Sequence, residues 1–296
     1  MFDVLAPGKI VLCGEYAVVD GAPAYVLAVD RGVRCAVRPG QGVETPDGDT
    51  RFVAPALEGA PPAMYRFSAW NPVDLPSKPG FGGSAAACVA ACLAAGVDKT
   101  RAFEIHRLVQ GGGSGLDVAA SIAGGLIRFQ AGGFTSASVA LPPLSVIWSG
   151  QSASTGPRVQ RYREWSGREA FVAESSELIA CFPDDQLRVL AEDGALLAAM
   201  ARAAGVPYLT PGLERVIVLA ARHGGAAKPS GAGGGDIAVA LFRDDGARRR
   251  FEGACAAEGL TPIAARPSPG AARVPPDAVD LGETGAPAAR LSLSTE

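Results

Sequence analysis

Two early stretches, residues 4–12 and 24–37, are rich in Val, Ile and Leu and predict strands joined through the turn "GEYAVVDGAP". Residues 39–79 are rich in Pro and Gly with weak periodicity, which predicts mostly loop with one short helix near 64–70. From 84 to 95 nearly every position is Ala, Cys, Val or Leu. A helix apolar all round is a buried helix. Residues 100–109 predict a second helix with Thr100 as its N-cap, ended by three glycines at 111–113. "SGLDVAASIAGG" follows as a loop entering a short helix, then "LIRFQ" and "LSVIWSG" as strands and "QSASTGPRV" as a polar turn.

A division near Gly150 gives an amino-terminal domain over 1–150 and a carboxy-terminal one over 151–296. The second half alternates helices and strands. Helices are expected over 184–204 and 213–223, the latter capped by Thr210 with Pro211 in its first turn. "IAVALF" is expected as a strand, 247–259 as a helix and 261–265 as a last strand. The Pro/Ala/Gly-rich chain from 267 onward predicts a poorly ordered tail. No internal repeat is evident.

At 296 residues and 48% hydrophobic, the chain can bury a large core without staples. A net charge of -3 supplies no basic field for nucleic acid. The amino terminus has no cationic leader, and no apolar run is long enough for a membrane span. Six cysteines without a CxxC pair read as small buried hydrophobes in a reducing compartment, so the expected location is the cytoplasm. Only four of the 27 basic residues are lysine, and three of those, Lys9, Lys78 and Lys228, stand beside glycine-rich turns. Lysine is a compact point charge suited to phosphate.

Those turns carry the candidate chemistry. "KPGFGGSAAA" places Gly80, Gly82, Gly83 and Ser84 at the start of the buried helix, where backbone N–H groups and the helix amino end favour an anion. Neither a Walker A loop nor a dinucleotide fingerprint can be laid on it. "KPSGAGGGD", residues 228–236, offers a second backbone nest or a tight packing contact. "GGGSGLD" sets Asp117 before a helix, where an aspartate is either an N-cap or a catalytic group. Taken singly, each stretch is also compatible with a plain structural turn.

Taken in order, "APGKIVLCGEYAVVDGAPA", "GFGGSAA", "GSGLD" and "SGAGGGD" resemble the GHMP family of small-molecule kinases, whose three signature motifs appear in order within the set, over residues 4 to about 242. The resemblance implies an α+β fold of two domains: an amino-terminal α/β domain with a mixed sheet and a left-handed crossover, and a ferredoxin-like carboxy-terminal domain. ATP and an acceptor would share the cleft between them. By motif position, Lys78, Gly80, Gly82, Gly83, Ser84 and Ala85 would hold ATP, and Ser84 would ligate Mg2+. Lys9 and Asp117 would be catalytic. Lys9, Glu15, Tyr16, Ser114, Ser154, Thr155, Lys228, Ser230, Gly231, Ala232, Gly233 and Asp236 would surround the acceptor, a small phosphorylated or hydroxylated acid.

Within the family, "WSGQSAST" and the aspartate closing "KPSGAGGGD" resemble phosphomevalonate kinases. His106 stands eleven residues before Asp117, where mevalonate kinases keep a magnesium-binding glutamate. Arg128 and Arg158 are further cations near the motifs. The phosphate loop departs from the family's Gly-Leu-Gly-Ser-Ser in having Gly83 for the first serine, so one hydroxyl is absent. The expected activity is ATP-dependent phosphorylation of phosphomevalonate. Mevalonate kinase, another GHMP alcohol kinase or a metabolite-binding protein without turnover are the alternatives. The oligomeric state, monomer or homodimer, stays open.

Overall fold

The computed structural model describes residues 1–153 and 155–276. Ser154, expected at the acceptor site, and the tail beyond 276 lie outside the described residues.

The first sheet is built from β1 (Phe2–Cys13), β2 (Ala24–Arg38), β3 (Gly42–Glu44), β4 (Met64–Trp70), β5 (Leu126–Gln130) and β6 (Gly133–Ser136). Its main path runs β3, β4, β2, β1, with β5 also on β2 and β6 beyond it; all pairs are antiparallel except β3 with β4. Four helices accompany it: α1 (Ala54–Leu57), α2 (Gly83–Ala95), α3 (Arg101–Gln110) and α4 (Leu116–Ala123). As its composition predicts, α2 is buried on nearly all sides. Ala85, Cys88, Val89 and Cys92 are fully buried in a core shared with Val4, Cys35 and Phe67 of the sheet and Ile105 of α3. Small side chains let this helix lie close to both the sheet and its neighbouring helices.

The second sheet holds β7 (Leu144–Trp148), β8 (Gly225–Pro229), β9 (Ile237–Phe242) and β10 (Thr261–Ile263), all antiparallel in the order β10-β7-β9-β8. That order is ferredoxin-like. Its helices are α5 (Gly156–Glu164), α6 (Arg168–Ala180), α7 (Gln186–Ala204), α8 (Pro211–Arg222) and α9 (Asp245–Ala257). Thr210 caps α8, its hydroxyl accepting from the Leu213 N–H at 3.3 Å.

Two expectations are corrected and two details are added. Residues 64–70 form strand β4, because Tyr65 and Phe67 face inward while Arg66 and Ser68 face out, an alternation of period two. Thr100 holds the N-cap position of α3 as expected but makes no side-chain capping bond; its N–H and hydroxyl both donate to Asp98 Oδ1 at 2.9 Å. Sheet membership puts β7 on the far side of the division expected at Gly150. Within the described part of the chain after 267, β11 (Ala272–Val274) returns to pair with β1 in the first sheet, a strand the composition does not predict.

The two sheets are fused by one apolar core. Ile10, Leu12 and Leu27 of the first pack with Val146, Val239 and Leu241 of the second. Alternation along β1 then sends the intervening side chains the other way, and Val11 packs with Ala119 and Ala120 of α4. Lys9 shares that side. A register shift between Ala6 and Gly8 in the β1–β2 pairing lies just before it, the kind of irregularity that re-aims a side chain.

Candidate active site

A cleft of about 1280 Å³ lies where the glycine loops meet β1, and Lys9, Gly80, Gly82, Gly83, Ser84, Ser114, Asp117, Gly231 and Asp236 all line it. Gly8 admits the phosphate loop to the strand: a Cβ built there would lie 2.6 Å from the Phe81 carbonyl oxygen, and Lys9 N–H donates to that same oxygen at 2.8 Å. Lys9 is nearly buried. Its Nζ donates to the Gly80 carbonyl at 3.4 Å and lies 4.0 Å from Asp117 Oδ1. A Cβ on Gly82 would come within 3.2 Å of both Asp117 Oδ2 and Lys9 Cγ, and one on Gly231 within 3.6 Å of Lys9 Nζ. The three later stretches therefore converge on the ammonium group of the first.

α2 begins at Gly83, and the Ala86 N–H bonds Gly82 O, so the first-turn N–H groups of Gly83, Ser84 and Ala85 precede the helix ladder. The Ala85 side chain itself is in the core. Ser84 Oγ lies 3.2 Å from His106 Nε2. Burial holds the His106 imidazole below its ordinary pKa against the opposing pull of Asp117, which keeps it uncharged near neutrality. Lys78 sits at the exposed rim, 2.8 Å from Asp47. Asp117 stands in the first turn of α4, not at its N-cap position, which Gly115 occupies.

Asp236 has a φ of +57° and accepts from the Ala153 N–H at 3.0 Å, and Ser152 Oγ donates to the Lys78 carbonyl at 2.6 Å. These bonds seat the segment leading to Thr155, which also lines the cleft, against the phosphate loop. Burial raises the Asp236 pKa, with the Ala153 N–H, Lys9 and Arg158 opposing. Gly80, at φ +88°, has no room for a side chain: its Cβ would lie 2.6 Å from the Asp236 carboxyl group. Gly80→Ala is expected to displace that carboxyl and raise KM for ATP at least about tenfold, the equivalent of roughly 1.4 kcal/mol, checked by steady-state kinetics.

Several expected acceptor residues make contacts within the protein, and of these Glu15, Tyr16, Ser230, Gly231 and Ala232 also line the cleft. Lys228 is fully buried and does not line the cleft; its Nζ donates to Glu15 Oε1 at 2.5 Å and lies 3.5 Å from Asp193 Oδ2 of α7. Burial alone would lower its pKa, but the two carboxylates outweigh burial and raise it. Glu15 Oε1 also accepts from the Gly231 N–H at 3.0 Å. Tyr16 donates to the Ala232 carbonyl at 2.7 Å, and Ser230 Oγ accepts from the Val11 N–H at 2.9 Å. Gly233 packs on Tyr208. These contacts clamp the first glycine motif to the last. Arg158 donates to the carbonyls of Pro207 and Gly234, and neither it nor Arg128 lines the cleft.

Two cleft-lining cations carried no motif signal in the sequence. Arg31 donates to the carbonyls of Asn71 and Ala264, and Arg163 of α5 lies beside Gly112. Their signal is the side of an element that they occupy, which needs the fold.

Residues 187–259 match the family described as GHMP kinases C terminal. This stretch of the chain is therefore similar to the carboxy-terminal region of GHMP kinases. A mevalonate kinase of Thermococcus sibiricus is 29% identical over 203 residues, covering 54% of this chain and 60% of that protein, so the match spans less than two thirds of it. A phosphomevalonate kinase of Streptomyces is 27% identical over 337 residues, covering 82% of this chain and 90% of that one. Among solved structures, the Lin0012 protein of Listeria innocua superposes with a TM-score of 0.82 at 22% identity, over 92% of this chain and 99% of that one. The phosphomevalonate kinase of Streptococcus pneumoniae gives 0.75 at 19% identity, over 90% and 100%. The chain thus shares their two-domain α+β fold. No helix among its described residues is long and apolar enough to cross a membrane.

Proposed function

We propose that this chain is a GHMP kinase that transfers the γ-phosphoryl group of ATP to phosphomevalonate, forming the diphosphate. The carrying observation is the Asp236–Ala153 hydrogen bond. It joins the two stretches that resemble phosphomevalonate kinases and places them against the phosphate loop at Gly80.

Phosphoryl transfer requires positioning and charge neutralisation more than covalent chemistry. The first-turn N–H groups of α2 and the backbone at Gly80 and Gly82 would cradle the ATP phosphates. Lys9, walled by the Gly80 carbonyl, Asp117 and Gly231, would bridge donor and acceptor phosphates. The donor set suits Mg2+, which is usually held by one or two protein oxygens together with substrate phosphates. Ser84 Oγ and Asp117 would hold it here, and it would neutralise charge on the phosphates. His106, uncharged beside Ser84, gives the hydroxyl a hydrogen-bond partner without adding a second carboxylate. A phosphate acceptor is already largely dianionic at neutral pH, because its second pKa is near 6, so no base is required. Asp117 then acts on Lys9 as a positioning group.

Phosphorylation of mevalonate itself is the second reading, favoured by the placement of Asp117 beside Lys9, where a carboxylate can accept a hydroxyl proton. ADP release measured with phosphomevalonate, mevalonate, homoserine and galactose separates the two. The expected outcome is the highest kcat/KM with phosphomevalonate; preference for mevalonate would establish the second reading.

A further inference from the structure

α5 presents one stripe to the cleft: Thr155 at its amino end, then Val159 and Arg163, spaced by four residues so that their side chains share a helix face. At ~1.5 Å rise per residue, the eight steps from Thr155 to Arg163 cover about 12 Å. The Thr155 end is tied to the phosphate loop through the Ala153 and Ser152 bonds. The Arg163 end lies against the glycine loop that leads to Asp117. There, a Cβ built on Gly112 (φ +130°) would lie 3.4 Å from both terminal guanidinium nitrogens. Between the ends, Val159 and Val19 pack around the same apolar cluster, and both line the cleft.

The other cations of this wall are engaged. Lys9 faces Asp117, Lys78 pairs with Asp47, and Arg31 donates to two carbonyls. Among the described residues, no ion pair or hydrogen bond is made by the Arg163 side chain. A guanidinium offers a planar fork of donors that matches a carboxylate in a way that an ammonium does not.

We propose that Arg163 is a specificity-determining residue that receives the carboxylate of the acceptor, with Val19 and Val159 against its aliphatic carbons and its phosphorylated end toward Lys9. This rests on transfer to a phosphorylated acid and adds which residue reads the acid end. A short branched aliphatic chain with an anionic group at each end matches the sequence of surfaces along α5: polar, apolar, cationic.

The test is Arg163→Gln and Arg163→Lys in the full chain, against wild type, with the same four acceptors, by steady-state kinetics and by calorimetric binding. For whichever carboxylate-bearing acceptor the wild type uses, Arg163→Gln is expected to raise KM and Kd about 10- to 100-fold, the range for loss of one charged hydrogen-bonded contact. KM for ATP and the melting temperature should stay near wild type, and Arg163→Lys should recover part of the loss. A wild type that prefers mevalonate or homoserine, with the shift intact, would refute the phosphomevalonate reading and leave Arg163 standing. An unchanged KM for the acid, a parallel rise in KM for ATP, or a wild type that binds none of the three acids would overturn the assignment.

Discussion

Lys9→Ala is expected to lower kcat about 10³-fold while leaving the far-UV circular dichroism of the protein unchanged. The magnitude follows from the placement of the ammonium. One preorganised charge aimed at developing transition-state charge contributes typically 10²- to 10³-fold, and cations acting on a transferring phosphoryl group contribute up to ~10⁵-fold. Lys9 donates to the Gly80 carbonyl, lies beside Asp117 and has Gly231 close by, so each of the other three motif stretches borders it. KM for ATP should move far less than kcat, because the first-turn N–H groups of α2 remain to bind its phosphates. Comparable losses in kcat and in the melting temperature would instead make Lys9 a structural cation.

Lys228→Met is expected to act on stability. Removing one partner of a buried ion pair costs about 3–5 kcal/mol, because the remaining charge is left without compensation. Here two carboxylates, Glu15 and Asp193, would be stranded in the core. For a chain of this size the loss corresponds to a fall in melting temperature on the order of 10 °C, measurable by calorimetry. Its pH dependence has a definite sign. Burial already raises the Asp193 pKa against the pull of Lys228, and losing that cation raises it further. The folded variant then binds more protons than the unfolded chain, so its deficit shrinks as pH falls from 8 toward 5. Replacing Glu15 by Gln in the same chain should recover part of the loss. A Lys228→Met protein as stable as wild type would refute the clamp.

These two lysines show how far the sequence was legible. Both stand beside glycine loops, and composition alone treats them alike. The loop marks where a point charge can reach backbone and anion, but it does not say whether the partner is a ligand or a carboxylate 213 residues away. Lys9 follows the alternation of β1 and faces the cleft. Lys228 lies on the inner side of β8 and faces Asp193, a residue in the middle of an amphipathic helix with no motif around it.

The same limit applies to Arg163. One of 23 arginines, it becomes notable only when α5 is known to turn the 155-159-163 stripe inward. The buried α2 and the glycine loops were readable because their composition has only one comfortable physical environment. Strand β4 was missed because two exposed residues and a Pro/Gly-rich setting hide an alternation carried by Tyr65 and Phe67 alone. The return of β11 to β1 joins segments more than 260 residues apart, and nothing local in "AARV" announces it.

The central claim is most directly tested by phosphorus NMR of the full chain with ATP, Mg2+ and phosphomevalonate. The monophosphate resonance of the acceptor is expected to give way to two coupled diphosphate resonances as ADP accumulates in equal amount. An unchanged monophosphate signal under conditions where mevalonate is phosphorylated would contradict it.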